Sequence, residues 1–262
     1  MGIKLAIIGG TGVYNPDMLD NLENMEVTTR YGSALLAKGV YRGKEVVFLA
    51  RHGTRHGTPP HRVNYRANIA ALVRLGVEKV IATAAVGTLN EQMPPGAMVL
   101  LDQFLDFTKV RDNTFFDGGE AGVVHIDVTR PYCPELNRVL QGAAGRAGPT
   151  LLQGAVYVCA EGPRFETPAE IRMFRMLGGD LVGMTNVPEV VLAREAGLCY
   201  STVALCTNWA AGIAPNVLTH REVLDFMKQN IGNVRTLLAE AVAGLDGERN
   251  CECSALGVKI PL

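Results

Sequence analysis

Val156-Tyr157-Val158-Cys159-Ala160 is an apolar run that passes through the polar turn Glu161-Gly162-Pro163-Arg164-Phe165-Glu166 into Thr167-Pro168-Ala169-Glu170. The pattern repeats in Leu181-Val182-Gly183-Met184-Thr185 followed by Asn186-Val187-Pro188-Glu189. Each unit reads as a strand, a short turn and a helix start. Thr167 with Glu170 fits a capping box, and Pro168 takes the first helical position, where a missing N–H costs nothing. Asn186 with Glu189 reads the same way. Phe165-Glu166 and Met184-Thr185 are therefore both expected where a strand ends and a helix begins, the edge at which open α/β sheets bind ligands. One turn supplies an aromatic ring and a carboxylate. The other supplies a thioether and a hydroxyl beside a helix N-terminus, which favours anions. Taken singly, each turn is only a well-capped helix start. Together they point to a site for an apolar, hydrogen-bonding ring next to an anion.

The rest of the chain agrees with an α/β enzyme. It has 262 residues, 48% of them hydrophobic and 19% charged, with 29 glycines. That length can bury a large core, and the composition is unlike that of a disordered chain. The net charge of −1 gives no basic stripe, so no nucleic-acid partner is expected. No apolar run approaches the roughly 18–20 residues of a membrane span. The N-terminus enters Ile3-Lys4-Leu5-Ala6-Ile7-Ile8 directly and reads as a core strand, which sets the expected location as cytoplasmic. Three of the six cysteines sit in or beside apolar, strand-like runs and read as buried thiols. Cys251-Glu252-Cys253 is spaced too tightly for the usual zinc patterns, and reads as part of an exposed C-terminal segment without a catalytic role. Spacing leaves open whether Cys133 and Cys199, or Cys251 and Cys253, are bridged.

In chain order, Gly9-Gly10-Thr11-Gly12 closes the first strand. A dinucleotide fingerprint fails here, because its third glycine falls on Asn15. A glycine turn with the Thr11 hydroxyl remains, a phosphate nest. Tyr41-Arg42-Gly43-Lys44 reads as a hairpin turn into the strand Glu45 to Ala50, which ends in Arg51-His52-Gly53. His52, His56 and His61 suggest a metal, but the glycines and Pro59-Pro60 forbid a helical ligand face. Arg51 and His52 instead suggest an anion site with Arg gripping bidentately. A helix is expected over 64–75 and a buried strand over 80–86, whose Ala84 and Ala85 let a ligand approach the backbone. A further strand is expected over 97–101 and a helix over 134–147. The irregular segment holding Phe115-Phe116-Asp117-Gly118-Gly119 reads as a lid or binding loop. A last core strand, Ser201 to Thr207, runs into Asn208-Trp209-Ala210-Ala211-Gly212. Thr219 and Glu222 suggest another capping box, with His220 the first residue of a helix carrying Val223, Leu224, Met227, Ile231, Val234, Leu237, Leu238 and Ala241 at helical spacing. Strands alternating with helices throughout imply one α/β domain over residues 1–262, a central mixed sheet flanked by helices.

These motifs carry a resemblance that covers nearly the whole chain. Ile7-Ile8-Gly9-Gly10-Thr11-Gly12, Leu49-Ala50-Arg51-His52-Gly53, Val63-Asn64-Tyr65-Arg66-Ala67-Asn68, Glu161-Gly162-Pro163-Arg164-Phe165 and Met184-Thr185-Asn186-Val187-Pro188-Glu189-Val190-Val191-Leu192-Ala193 resemble the trimeric-type purine nucleoside phosphorylases, within them the methylthioadenosine phosphorylase branch. The resemblance implies that Thr11, Arg51, His52, Ala84, Ala85 and Thr185 hold phosphate, that Met184 lies against the ribose, and that Phe165 packs near the base. It implies phosphorolysis of a nucleoside with inorganic phosphate as co-substrate, no metal or other cofactor, and a homotrimer or a hexamer of paired trimers.

The specificity positions depart from the methylthioadenosine branch. That branch carries a small hydroxyl residue at Glu166, aspartates at Asn208 and Ala210, and a small apolar residue at His220. Glu166, Asn208 and His220 match the 6-oxopurine enzymes instead. Oxopurines present N1–H as a donor, which the Glu166 carboxylate can accept, whereas adenine presents a lone pair there. The Asn208 amide can donate to N7 as the base leaves, so Glu166 and Asn208 are the expected catalytic pair. A site built on such bonds rejects the wrong ligand by on the order of 10⁴. His220 can bond a 5′-hydroxyl. Two rival readings stand beside this one: a methylthioinosine phosphorylase, which shares Glu166 and Asn208 without needing His220, and a nucleoside-binding regulatory protein without turnover.

Overall fold

Leu5-Ala6-Ile7-Ile8-Gly9 is a continuous apolar run because parallel strands flank it on both sides and both its faces are covered. The computed structural model describes residues 4–9, 19–53, 57–214, 219–245 and 249–262, without the side chains of His220 and Glu222. Along these the chain forms β1 (Leu5–Gly9), β2 (Asp20–Thr29), β3 (Gly32–Tyr41), β4 (Lys44–Ala50), α1 (Tyr65–Arg74), β5 (Lys79–Thr88), β6 (Met98–Phe107), α2 (Pro134–Ala147), β7 (Leu151–Ala160), α3 (Pro168–Met176), β8 (Leu181–Gly183), α4 (Asn186–Glu195), β9 (Cys199–Trp209), α5 (His220–Gly244) and α6 (Cys253–Leu256). The local signals work as expected at several ends. Arg42 and Gly43 turn the β3–β4 hairpin with φ of 51° and 77°. Asn64 caps α1 by accepting from the Ala67 amide, and α2 ends on Gly148 in the left-handed region. The Thr167–Glu170 capping box forms in both directions, at 3.2 and 2.7 Å.

The sheet is mixed and runs β2-β3-β4-β1-β5-β8-β7-β6-β9. Its far half does not stay open. β9 pairs antiparallel with β6 and parallel with β5, so β5, β8, β7, β6 and β9 close on one another as a small barrel, extended on one side by β1, β4, β3 and β2. Closure is invisible to local periodicity, since a strand's pattern shows which face is buried and not which neighbours it meets. One buried cluster gathers Ile69, Leu72, Val187, Val190 and Leu192 from α1 and α4 against the sheet. A second gathers Leu136, Leu140, Val234, Leu237 and Leu238 from α2 and α5.

One irregularity in the barrel matters for the site. β5 and β9 run in register up to Val86 opposite Cys206, and then Gly87 faces Asn208, so Thr207 is bulged out of the ladder. Such a bulge re-aims the following side chain.

The segment 108–131, expected as a lid or binding loop, is anchored to the body around Phe115. Phe115 is 1% exposed and packs in the core, its amide and the Thr114 hydroxyl donating to Glu195 at 2.8 and 2.6 Å. Asp112 and Asp117 pair with Arg66 on α1.

Candidate active site

The ends of β4, β5, β7, β8 and β9 converge on one cavity of about 410 Å³. Arg51 and His52 leave β4, Ala84, Ala85, Val86 and Gly87 belong to β5, and Phe165 and Glu166 follow β7. Met184 and Thr185 follow β8, and Asn208 and Ala210 close β9. Ten of the residues singled out from the sequence thus border a single space. Two others are not placed: Thr11 and the side chain of His220 lie outside the described residues. The first turns of α5 reach the cavity through Val223. Thr58, Pro59, Pro60 and Thr207 also line it, and nothing in their local sequence marked them.

Arg51 departs from the sequence expectation. Its guanidinium does form a bidentate pair, but with Glu189: Nε and Nη2 donate to the two carboxylate oxygens at 2.7 Å each, both side chains 1% exposed. Nη1 donates to the Thr83 carbonyl at 3.0 Å. Three of the five N–H groups are therefore committed to protein, which leaves two for a ligand. Burial opposes the guanidinium's charge, yet the Glu189 carboxylate outweighs it and raises the pKa above the ordinary arginine value. The expected Asn186–Glu189 capping box is correspondingly absent. Glu189 belongs to Arg51 and also accepts from the Tyr200 hydroxyl at 2.7 Å. The Asn186 amide is fully buried and donates to Thr202 and Tyr200, while its oxygen accepts from Tyr132. Val187 is extended, which splits the start of α4. The Thr185 amide donates to the Tyr157 hydroxyl at 3.2 Å and is not free for an anion, whereas the Thr185 side chain caps nothing.

His52 donates from Nδ1 to the Thr58 carbonyl at 2.8 Å, which places the neutral ring's lone pair on Nε2. Across the cavity Glu166 is 9% exposed, and its Oε1 is buried without a hydrogen-bond partner. Burial, first of all, raises its pKa above the usual carboxylate range. An orphaned carboxylate oxygen is costly unless a ligand completes it. Asn208 is held at both ends: Oδ1 accepts from the Thr207 hydroxyl at 2.7 Å, and Nδ2 donates to the Trp209 carbonyl at 2.8 Å. The second N–H of that amide remains for a ligand. Gly87 makes room for it, since a Cβ there would lie 3.2 Å from Nδ2.

Sequence reasoning missed Arg111. Its side chain, 2% exposed, donates from Nη1 to the carbonyls of Met184 and Val187 at 2.7 Å each, and from Nη2 to Glu161 at 2.6 Å and Ala160 at 3.3 Å. One guanidinium ties together both turns that carry Phe165, Glu166, Met184 and Thr185. A lone arginine in an irregular segment gives no local signal of such a role.

The family model of the phosphorylase superfamily matches residues 4–243. A probable 6-oxopurine nucleoside phosphorylase of Moorella thermoacetica is 58% identical over 258 residues, covering 98% of this chain and 99% of that protein. The 6-oxopurine nucleoside phosphorylase of Pyrococcus furiosus is 49% identical over 255 residues, covering 95% of this chain and 96% of its own. Among solved structures, a methylthioadenosine phosphorylase sourced from an antarctic soil metagenomic library superposes with a TM-score of 0.90 at 36% identity, over 97% of this chain and 91% of that one.

Proposed function

Since the chain belongs to the phosphorylase superfamily, we propose that it is a purine nucleoside phosphorylase, cleaving 6-oxopurine nucleosides to the free base and ribose 1-phosphate. The observation that carries this reading is the buried, unpartnered oxygen of Glu166 in the same cavity as the tethered amide of Asn208. The two groups offer an acceptor and a donor to one planar ring. Hypoxanthine and guanine supply the matching N1–H and N7, and adenine does not supply the first.

In the proposed reaction phosphate sits among Thr11, Arg51, His52, Ala84, Ala85 and Thr185. One of its oxygens bonds to the anomeric carbon as the bond to the base nitrogen breaks, and the electron pair of that bond leaves with the purine. The pentose passes through a state of oxocarbenium character between two anions. Met184 packs against the sugar and Phe165 against the base. Asn208 donates to N7 as negative charge develops there, so its contribution grows towards the transition state. The protein's part is placement and charge stabilisation, without a protein nucleophile and without a cofactor; inorganic phosphate is the co-substrate. A homotrimer or paired trimers and a cytoplasmic location complete the reading. Among the described residues, no helix is long and apolar enough to cross a membrane.

A 5′-methylthioinosine phosphorylase shares the Glu166 and Asn208 logic, and the apolar Val223 beside the cavity favours it. Steady-state assays on inosine, guanosine, adenosine, 5′-methylthioinosine and methylthioadenosine, with and without phosphate, separate these readings. Phosphate-dependent release of hypoxanthine and guanine is expected. Base release without phosphate, or efficient cleavage of methylthioadenosine, would contradict the proposal.

A further inference from the structure

Four cysteines that are scattered along the sequence meet at one point well apart from the cavity. The Sγ atoms of Cys133, Cys199, Cys251 and Cys253 all lie within 4.8 Å of one another. They come from three places. Cys133 is the N-cap of α2, Cys199 opens β9, and Cys251 and Cys253 lie in the C-terminal segment. All four are free thiols, three of them buried and Cys251 partly so. The tight Cys-x-Cys spacing is therefore no obstacle to metal binding, because the other two ligands are supplied by the fold.

We infer that these four sulfurs form a closed tetrathiolate site for a soft divalent cation of the zinc class. A zinc–sulfur bond is about 2.3 Å, so the sulfurs of a tetrahedral site stand about 3.8 Å apart. The observed cluster reaches that spacing with shifts of about 1 Å or less. Two disulfides would pair the four sulfurs two by two, but all four are free thiols here and each lies near the other three, the arrangement that one ion at the centre engages at once. Binding balances as one M²⁺ taken up and four S–H protons released, leaving a centre of net charge −2. The surroundings suit that charge. Cys133 sits at the positive end of a 14-residue helix, and its sulfur accepts from the Leu136 amide at 3.4 Å. The buried Lys79 borders the same recess. Glu135 borders it too, but its carboxylate accepts from the Asn250 amide at 2.9 Å. With four protein ligands the site has no open position, so its role is structural. It fastens the segment from Arg249 onward to the start of α2 and β9, where Arg249 already donates to the Gly197 carbonyl at 2.9 Å.

The test is a Co²⁺ titration of the full-length chain, reduced, stripped of metal and kept anaerobic, followed by visible absorption and proton release. Saturation at one Co²⁺ per chain is expected, with the intense absorption of tetrahedral thiolate cobalt, four protons released per ion, and displacement by Zn²⁺. Cys133→Ser, Cys199→Ser, Cys251→Ser and Cys253→Ser should each weaken binding by at least about ten-fold. Cys206→Ala, outside the cluster, should not change it. A wild-type chain that shows no saturable cobalt band overturns the inference, whether or not its thiols were paired as purified. So does a band that survives all four serine variants. Should those variants fail to fold, the wild-type stoichiometry and proton count still decide.

Discussion

Arg51 and Glu189 stand 138 residues apart in the chain and meet in full burial through two hydrogen bonds of 2.7 Å. The guanidinium that faces the cavity is thus held by a carboxylate behind it. A buried pair stripped of one partner loses about 3–5 kcal/mol, because the survivor keeps an uncompensated charge. Arg51→Met and Glu189→Met should each destabilise the protein by about that much, and the double variant by clearly less than the sum. Denaturant unfolding of the four proteins measures this. Additive losses would mean that the two residues act independently.

For activity, Arg51→Ala should raise the KM for phosphate far more than the KM for nucleoside. Glu189→Gln should move the phosphate KM in the same direction and by less, since the guanidinium stays in place with a poorer anchor. Equal effects on both substrates would remove Arg51 from the phosphate site.

Glu166 carries a pH signature. Burial raises its pKa, so its stabilising contribution is present at acid pH and is lost as pH rises through the raised value. Above that raised value the unliganded protein holds an ionised carboxylate with an orphaned oxygen. Glu166→Gln should therefore stabilise the unliganded protein at pH above that raised value, by about 1 kcal/mol or roughly 2–4 °C in Tm. That gain should vanish below the ordinary carboxylate pKa of about 4.3. The same variant should lose its preference for inosine over adenosine. A Tm difference that does not change with pH would argue against the buried, ionised form.

Gly87 and Asn208 face each other across the bulge at Thr207. The Cβ of Gly87→Ala would sit 3.2 Å from Asn208 Nδ2 and 3.3 Å from a Val182 methyl, so the tethered amide must shift by a few tenths of an ångström. Turnover of saturating inosine should fall on the order of ten-fold with little change in the phosphate KM. Asn208→Ala should fall further. Asn208→Asp should shift relative activity towards 6-aminopurines when combined with Glu166→Ser, the two residues sharing one base edge. Unchanged kcat in Gly87→Ala would show that the amide has slack.

Arg111→Ala should loosen both substrate turns at once, raising nucleoside and phosphate KM together and lowering Tm. Added guanidinium at millimolar concentration, well below denaturing levels, should restore part of the activity, and Arg111→Lys should restore less than arginine, because an ammonium cannot span the carbonyls of Glu161 and Met184 from one plane. Absence of rescue, with a folded Arg111→Ala protein, would limit Arg111 to a structural role.

Much of this was legible in the chain. The strand-turn-helix punctuation at Thr167-Pro168-Ala169-Glu170 and the glycine at the end of α2 fix local geometry through neighbours within a few residues. Period and composition report the same range, which is why α1, α2 and the first core strand fall where expected. The cavity residues were found because each stands at a strand end. What escaped depends on distant partners. Glu189 looks like a capping residue until Arg51 is beside it, and Arg111 looks like loop until both substrate turns are. The same holds for Cys251 and Cys253, whose segment reads as exposed although Cys253 is 4% exposed against β9 and α2. Barrel closure belongs to this class as well.

That closure also orders events in time. β9 is the last strand made among the described residues, yet it is the piece that seals the ring, pairing with β5 across a separation such as the 121 residues between Thr207 and Val86. Until residue 209 has been synthesised, β5 and β6 each present an unpaired edge, and unpaired edges invite association with other chains. Contacts so distant in sequence also form slowly. A nascent chain halted before Cys199 should therefore be aggregation-prone and unable to assemble any version of the cavity, whereas extension by the eleven residues of β9 should convert it abruptly into a closed, protease-resistant core.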